Sequence, residues 1–192
     1  TDPSVPEVAE GPAEHELIAE RRAKLQRFRD AGIEPFPHEF PGVSHAEQIR
    51  DSHGDLQPGD ETNVAYRVAG RLAGRRGHGK AAFLDVVDRS GKMQVHARED
   101  LLGEEQFELL TSLDLGDLVG IDGTAFVTKR GELSLAATGW TLLAKSLRPM
   151  PVVKEKVVDG EKVVFDEVQD KELRYRQRYV DLIVNPESRE NF

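Results

Sequence analysis

Cysteine is absent from the 192 residues, which removes disulfides and every thiolate metal site. Aromatic residues are scarce, with one tryptophan and three tyrosines, so each aromatic on a surface asks for an explanation. No run of 18 apolar residues occurs, and no membrane-spanning helix is expected. The opening segment, TDPSVPEVAEGPAEHE, has neither the basic start nor the apolar stretch of a secretory leader. With no cysteine and no leader, the expected location is the cytoplasm. Catalytic signatures are also missing: there is no G-x-S-x-G, and the six histidines show no HExxH or other metal-ligand spacing. The sequence therefore offers no catalytic residue and no metal site. GRRGHGK at 74–80 satisfies G-x-x-x-x-G-K, but Ala81 replaces the magnesium-binding hydroxyl and a strand-like AAFLDVV follows. Without a helix N-terminus the phosphate site does not form, so a glycine-rich hairpin turn is expected.

Charge is plentiful but uneven. The net charge is −9, yet residues 64–98 carry Arg67, Arg71, Arg75, Arg76, Lys80, Arg89, Lys92 and Arg98 against only Asp85 and Asp88. Residues 99–128 then hold eight acids and no base. Such polarity steers a polyanion to one face, although ordinary solvated charge would look the same.

Four segments follow from composition and periodicity. Residues 1–13 read as a disordered acidic tail. Residues 14–63 hold an amphipathic helix, with Leu17, Ile18, Arg21, Leu25 and Phe28 along one stripe and Gly32 at its end. A linker with Pro35, Pro37 and Pro41 comes next, then a short helix or loop acting as a lid. Residues 64–146 alternate like strands: VAYRVAGRLAGRR, AAFLDVVD and KMQVHA, a helical EDLLGEEQFELLTSL, then DLVGIDGTAFVT and ELSLAATGWTLLA. Three strands, a helix and two strands give the order of an OB-fold. The expected class is mainly β with helices, a five-stranded, partly open Greek-key barrel preceded by the amphipathic helix. Residues 147–192 form a linker, with a hairpin around Asp159-Gly160, and a helix in which Leu173, Tyr175, Tyr179, Leu182 and Ile183 are candidate buried positions.

Such a barrel binds single strands across its second and third strands, between the first and last turns. Alternation puts Phe83, Asp85 and Val87 on one face of the second strand and Lys92, Gln94 and His96 outward on the third. An exposed Phe83 would stack on a base; a Phe83 that closes the core remains open on these residues alone. The Gln94 amide matches the edge of uracil, although a solvated strand glutamine needs no purpose. Glu132, beside the last turn, would accept the N3–H of uracil and repel the N3 lone pair of cytosine. Arg71, Arg75, Arg76 and Lys80 surround the first turn, Lys129 and Arg130 the last, and Lys92 flanks the face; these are candidates for the RNA backbone.

Several stretches together resemble the N-terminal, anticodon-binding region of class II lysyl-tRNA synthetases. They are RAKLQRFRDAGIEPFP at 22–37, VAGRLAGRRGHGKAAFLDVVDRSGKMQVHA at 68–97, LDLGD at 113–117, TKRGELSL at 128–135, KSLRPMP at 145–151 and RYRQRYVDLIVNPESRENF at 174–192. The resemblance implies a barrel that reads a UUU-type anticodon of tRNA(Lys). Phe83 would stack on the central uridine, Gln94 and Glu132 would meet its edge, and Arg71 would match the arginine of the family's first strand. His96 stands where such proteins often have tyrosine, so its support of a base is a departure. The resemblance further implies a class II catalytic domain beyond Phe192, using ATP and Mg2+ to form lysyl-adenylate, in a parent that is usually a homodimer. By itself the chain is expected to need no cofactor, to be catalytically inactive, and to be monomeric or weakly associated. The alternative is a free-standing OB module that binds single-stranded RNA or DNA without anticodon preference.

Overall fold

The computed structural model describes residues 14–149, 154–158, 161–165, 175–185 and 188. The 1–13 tail and Leu173 lie outside them. The chain divides into two units, Thr1–Pro149 and Met150–Phe192.

In the first unit α1 (Glu14–Asp30) and α2 (Ala46–Ser52) precede β1 (Glu61–His78), β2 (Ala81–Val87) and β3 (Lys92–Arg98). Next come α3 (Glu99–Leu102), α4 (Glu104–Thr111), β4 (Leu118–Val127) and β5 (Leu133–Ala144). The sheet closes on itself in the order β1-β2-β3-β5-β4, with β4 returning to pair antiparallel with β1. Closure depends on a short parallel pairing of β3 with β5, from Gln94 opposite Ser134 to His96 opposite Ala136.

The fold class expected from the sequence needs correction on two points. It is mixed α/β rather than mainly β: α1 has 17 residues, nearly the length of the 18-residue β1, and both early helices enter the core. Phe28 of α1 and Ile49 of α2 are fully buried alongside Leu72, Leu84, Val95, Ile121 and Leu135 of the sheet. The sheet is also closed, not partly open. The reason is non-local: β3 and β5 meet across about forty residues of chain, and periodicity within a strand says nothing about that pairing.

The helix expected as one piece after β3 is two, because Gly103 adopts φ 83° between α3 and α4. The GRRGHGK segment continues β1 to His78 and turns at Gly79 into β2. The proline linker packs closely against β4: a Cβ at Gly120 would lie 2.3 Å from the Phe40 ring. Arg67 covers that ring at 4.6 Å while its guanidinium pairs with Asp122 at 2.7 Å.

Two of the family-like stretches meet in a buried ionic cluster. Lys145 is fully buried and its Nζ donates to Asp117 Oδ1 at 2.9 Å and Asp114 Oδ2 at 2.6 Å. Asp117 also accepts the backbone N–H groups of Ser146 (2.8 Å) and Asp114 (2.9 Å). Lys24 of α1 reaches Asp114, and Arg21 donates to the carbonyls of Ser146 at 3.0 Å and Leu115 at 3.3 Å. LDLGD and KSLRP therefore clamp α1 to the end of β5. Burial pushes the Asp114 carboxyl up, but donation from Lys145 and Lys24 outweighs it and holds the group below its usual range.

In the second unit β6 (Lys154–Val158) and β7 (Glu161–Phe165) pair antiparallel with Val158 opposite Glu161. A short helix, α5 (Arg178–Val184), follows. Three positions there that the sequence offered as buried are exposed instead: Tyr175, ahead of the helix, by 72%, and Tyr179 and Ile183 within it by 57% and 40%. Helical spacing marks an apolar face without marking what covers it.

Candidate nucleic-acid interface

Strands β1, β2, β3, β5 and β4 present one outward face on which two cross-strand rows run side by side. The first row is Arg76, Phe83, His96 and Ala136; the second is Asp85, Gln94, Ser134 and Phe126. Alternation supplies the outward positions, since Ala82, Leu84 and Val86 of β2 and Met93, Val95 and Ala97 of β3 are buried inside.

Phe83 is half-buried, and its ring stacks on His96 with centroids 4.4 Å apart and planes 9° from parallel. Phe126 lies beyond His96 at 5.9 Å, tilted by 40°. The guanidinium of Arg76 sits 5.8 Å from the Phe83 centroid and pairs with Asp85 at 2.8 Å. Three rings and a guanidinium thus make an apolar ledge bounded by charge. Burial, then the charge of Arg98, hold the His96 imidazole below its ordinary value, with Asp100 opposing. The folded state consequently favours neutral His96. Its contribution is complete above the ordinary value of about 6.5 and is lost as pH falls from there through the folded-state value. A His96→Tyr variant keeps a ring and cannot titrate in this range. Thermal unfolding between pH 8 and pH 5 should show the wild type losing stability relative to the variant only below about pH 6.5. Parallel curves across that span would rule the assignment out.

Gln94 faces outward, yet it is only 8% exposed, because Ser134 of β5 lies against it. The Ser134 hydroxyl donates to Gln94 Oε1 at 3.2 Å. Asp85, opposite Gln94 on β2, has one oxygen on Arg76; its Oδ1 is buried without a hydrogen bond, with Lys92 Nζ 3.9 Å away. Glu132 is exposed two residues before Ser134. Its backbone is fixed by Thr128, which donates its N–H to the Glu132 carbonyl at 2.9 Å and accepts the Glu132 N–H at Oγ1 at 3.0 Å. Gly131 closes the same turn at φ 86°, leaving Lys129 and Arg130 exposed at its tip.

The basic candidates do not share one environment. A bulge between Leu72 and Gly74 shifts the alternation of β1, so Arg76 pairs with outward Phe83 while Arg75 pairs with inward Leu84. Arg75 accordingly reaches the end of α4, donating to the carbonyls of Thr111 and, at 2.9 Å, Leu113. Arg71 donates to the Gly116 carbonyl at 2.7 Å, and Lys80 pairs with Glu99 at 2.8 Å. Phe83, Gln94, His96, Arg76, Lys92 and the Glu132 turn come together on one face; Arg71, Arg75 and Lys80 are tied to the loop 113–117, α4 and α3. Phe126 and Ser134 were missed by the sequence reading. Alternation through GTAFVT, with Ala125 and Val127 buried, would have placed Phe126 outward.

Among the described residues no group of three His, Asp or Glu side chains could hold a metal ion. No helix among them is long and apolar enough to cross a membrane.

Residues 66–143 match a family described as an OB-fold nucleic acid binding domain. A lysine–tRNA ligase of Bacillus cereus (strain G9842) is 43% identical over 174 residues, covering 90% of this chain and 33% of the ligase. One from Carboxydothermus hydrogenoformans is 43% identical over 178 residues, 93% of this chain and 33% of that protein. One from Pediococcus pentosaceus is 40% identical over 183 residues, with 94% and 34% covered. The chain spans about a third of the length of these curated relatives. Over most of its length the chain corresponds to the anticodon-binding OB-fold region of the bacterial lysine–tRNA ligases.

Proposed function

We propose that the ledge of Phe83, His96 and Phe126, with Gln94 and Glu132 beside it, binds the anticodon loop of tRNA(Lys) and reads uridine at the middle position. The observation that carries this reading is the conjunction of a flat stacked ring pair with a buried amide and an exposed carboxylate on one face. Stacking holds any base, and polar edges choose among bases. Around the ledge, Arg76, Lys92, Lys129 and Arg130 supply charge for the phosphates. A cavity of about 310 Å³ between the end of β1 and α4, lined by Arg75, Arg76, Gly77, Phe107 and Thr111, shares Arg76 with the ledge.

In this proposal the reaction of the whole ligase, lysine activation by ATP with Mg2+ and transfer to tRNA, belongs to parts of the relatives that this chain does not span. The chain contributes recognition. It should give no lysine-dependent ATP–pyrophosphate exchange of its own.

The test is binding to anticodon stem-loops carrying UUU or CCC at several salt concentrations. A clear preference for UUU is expected; equal affinities would leave a generic single-strand binder and defeat the anticodon reading. Arg76 and Arg75 provide an internal contrast. Arg76→Ala should weaken every stem-loop and reduce the salt slope by about 0.7. Arg75→Ala should instead lower the melting temperature, since it uncaps α4, and leave the slope unchanged. The reverse pattern would show that Arg75 leaves α4 to bind RNA.

A further inference from the structure

Ser134 has one hydroxyl proton and two acceptors equally near, Gln94 Oε1 and the Glu132 carbonyl, each at 3.2 Å. Where that proton goes decides how the neighbouring amide must lie. If the hydroxyl donates to Oε1, the amide nitrogen turns away from Ser134. If it donates to Glu132, only its lone pairs face Gln94, and the amide must reverse to offer an N–H to Oγ. The two arrangements present opposite groups on the outer face: a donor in the first, an acceptor in the second.

The surroundings favour the first. The Glu132 carbonyl already accepts the Thr128 N–H at 2.9 Å, whereas no other donor reaches Oε1 among the described residues. Gln94 Nε2 has no protein partner there either, and the buried polar atoms left without one are His45 Nδ1 and Asp85 Oδ1 alone. The Nε2 group of an otherwise buried glutamine therefore reaches solvent, while its carbonyl is the end held inside. Reversal would put two N–H groups toward the single Oγ acceptor and leave one unmet, which is costly in a buried site.

We propose that Ser134 is a positioning residue for base recognition: by holding Gln94 Oε1 it fixes the amide with its N–H groups toward the RNA. A base with a carbonyl at the facing position is then accepted, and one with an amino group there meets donor against donor. Among pyrimidines this selects uracil, whose 4-position is a carbonyl, over cytosine, whose 4-position is an amine. Ser134 touches no base. This inference rests on the anticodon reading proposed above and adds to it the source of the pyrimidine choice.

The experiment measures binding of the whole chain to stem-loops differing only in uridine or cytidine at the middle position. Ser134→Ala frees the amide to rotate, so the uridine-to-cytidine ratio should fall by about two- to tenfold, the worth of one hydrogen bond. Affinity for the uridine loop should change less than the ratio does. Ser134→Thr keeps the hydroxyl and should restore the ratio, which a purely structural serine would not require. Should Ser134→Ala fold poorly, Gln94→Glu tests the same geometry: its carboxylate still accepts from Ser134 but presents an acceptor outward, so the preference should shift toward cytidine. A wild type that discriminates alongside a Ser134→Ala variant that discriminates just as well would overturn the role of Ser134 and spare the anticodon reading; a Gln94→Glu variant that keeps the uridine preference would overturn the role of Ser134 and take Gln94 out of that reading as well. A wild type with no preference would overturn both.

Discussion

Lys145→Met should destabilise the first unit by about 3–5 kcal/mol, the usual cost of removing one partner from a buried ion pair. The ammonium is fully buried between Asp114 and Asp117, and Asp117 is itself fully buried. Methionine replaces the methylenes and not the charge, so the loss is electrostatic and leaves little cavity. Lys24 still reaches Asp114, and two backbone N–H groups still serve Asp117, but no cation remains on Asp117. With roughly 2–4 °C per kcal/mol for a unit of this size, the melting temperature should fall by on the order of 10 °C. Adding Asp117→Asn should recover part of the loss, because the uncompensated charge goes with it. Acid should discriminate too. Asp114 is held below its usual range in the fold, so its contribution is present above about pH 3.9 and disappears as pH falls through the folded-state value. Wild type should lose stability across that window more steeply than Lys145→Met. Urea unfolding followed by circular dichroism measures both; a loss below about 1 kcal/mol would mean the cluster is hydrated and weak.

That cluster also shows what the sequence could and could not convey. LDLGD and KSLRP stood out as stretches shared with lysyl-tRNA synthetases, and nothing in their spacing said that a lysine and two aspartates meet in the interior. Their partners come from loop, strand end and helix, 90 residues apart in the case of Lys24 and Asp114. Local alternation was far more informative. It separated the Phe83 and Asp85 face of β2 from the Leu84 and Val86 face, without saying which was inward, and on β3 it placed Met93 and Val95 inside and Gln94 and His96 outward, as the structure has them. It failed where a single residue shifts the phase: adjacent Arg75 and Arg76 face opposite ways in any strand, and the bulge after Leu72 decides that Arg76 is the outward one, whereas the sequence treated the two alike. It also could not show that outward Gln94 is buried, because the covering Ser134 arrives by a parallel pairing 40 residues distant. Outward and exposed are different properties in a closed sheet. The helices misled for a related reason: Phe28 and Ile49 complete the core, which makes the fold mixed, whereas Tyr175 and Tyr179 at similar spacing are exposed.

Phe83→Ala should weaken binding to every anticodon stem-loop by about 1–3 kcal/mol while leaving the preference among them nearly intact. In the proposed reading a base stacks on the Phe83 ring, one face of which lies flat against His96 while the Arg76 guanidinium lies 5.8 Å from its centroid. Stacking depends on the area and polarisability of a base and hardly on its edge, hence the uniform loss. Phe83→Tyr should bind almost as wild type. Truncation should leave the fold intact, since Phe83 points away from the core; a core aromatic would cost about 3–5 kcal/mol of stability. Glu132→Ala is expected to behave in the opposite way. Its carboxylate is exposed on a turn fixed by Thr128 and Gly131, so removal should leave stability unchanged and erode discrimination of uridine from cytidine. Gln94→Ala should lower stability and erode discrimination, because the amide is buried as well as placed at the edge. Binding of these variants to stem-loops varied only at the middle base, with thermal unfolding alongside, separates the three roles. If Phe83→Ala unfolds the chain, the ring belongs to the core and the ledge is no base platform. If Glu132→Ala and Gln94→Ala both keep the wild-type uridine preference, the choice of base is made elsewhere on the molecule.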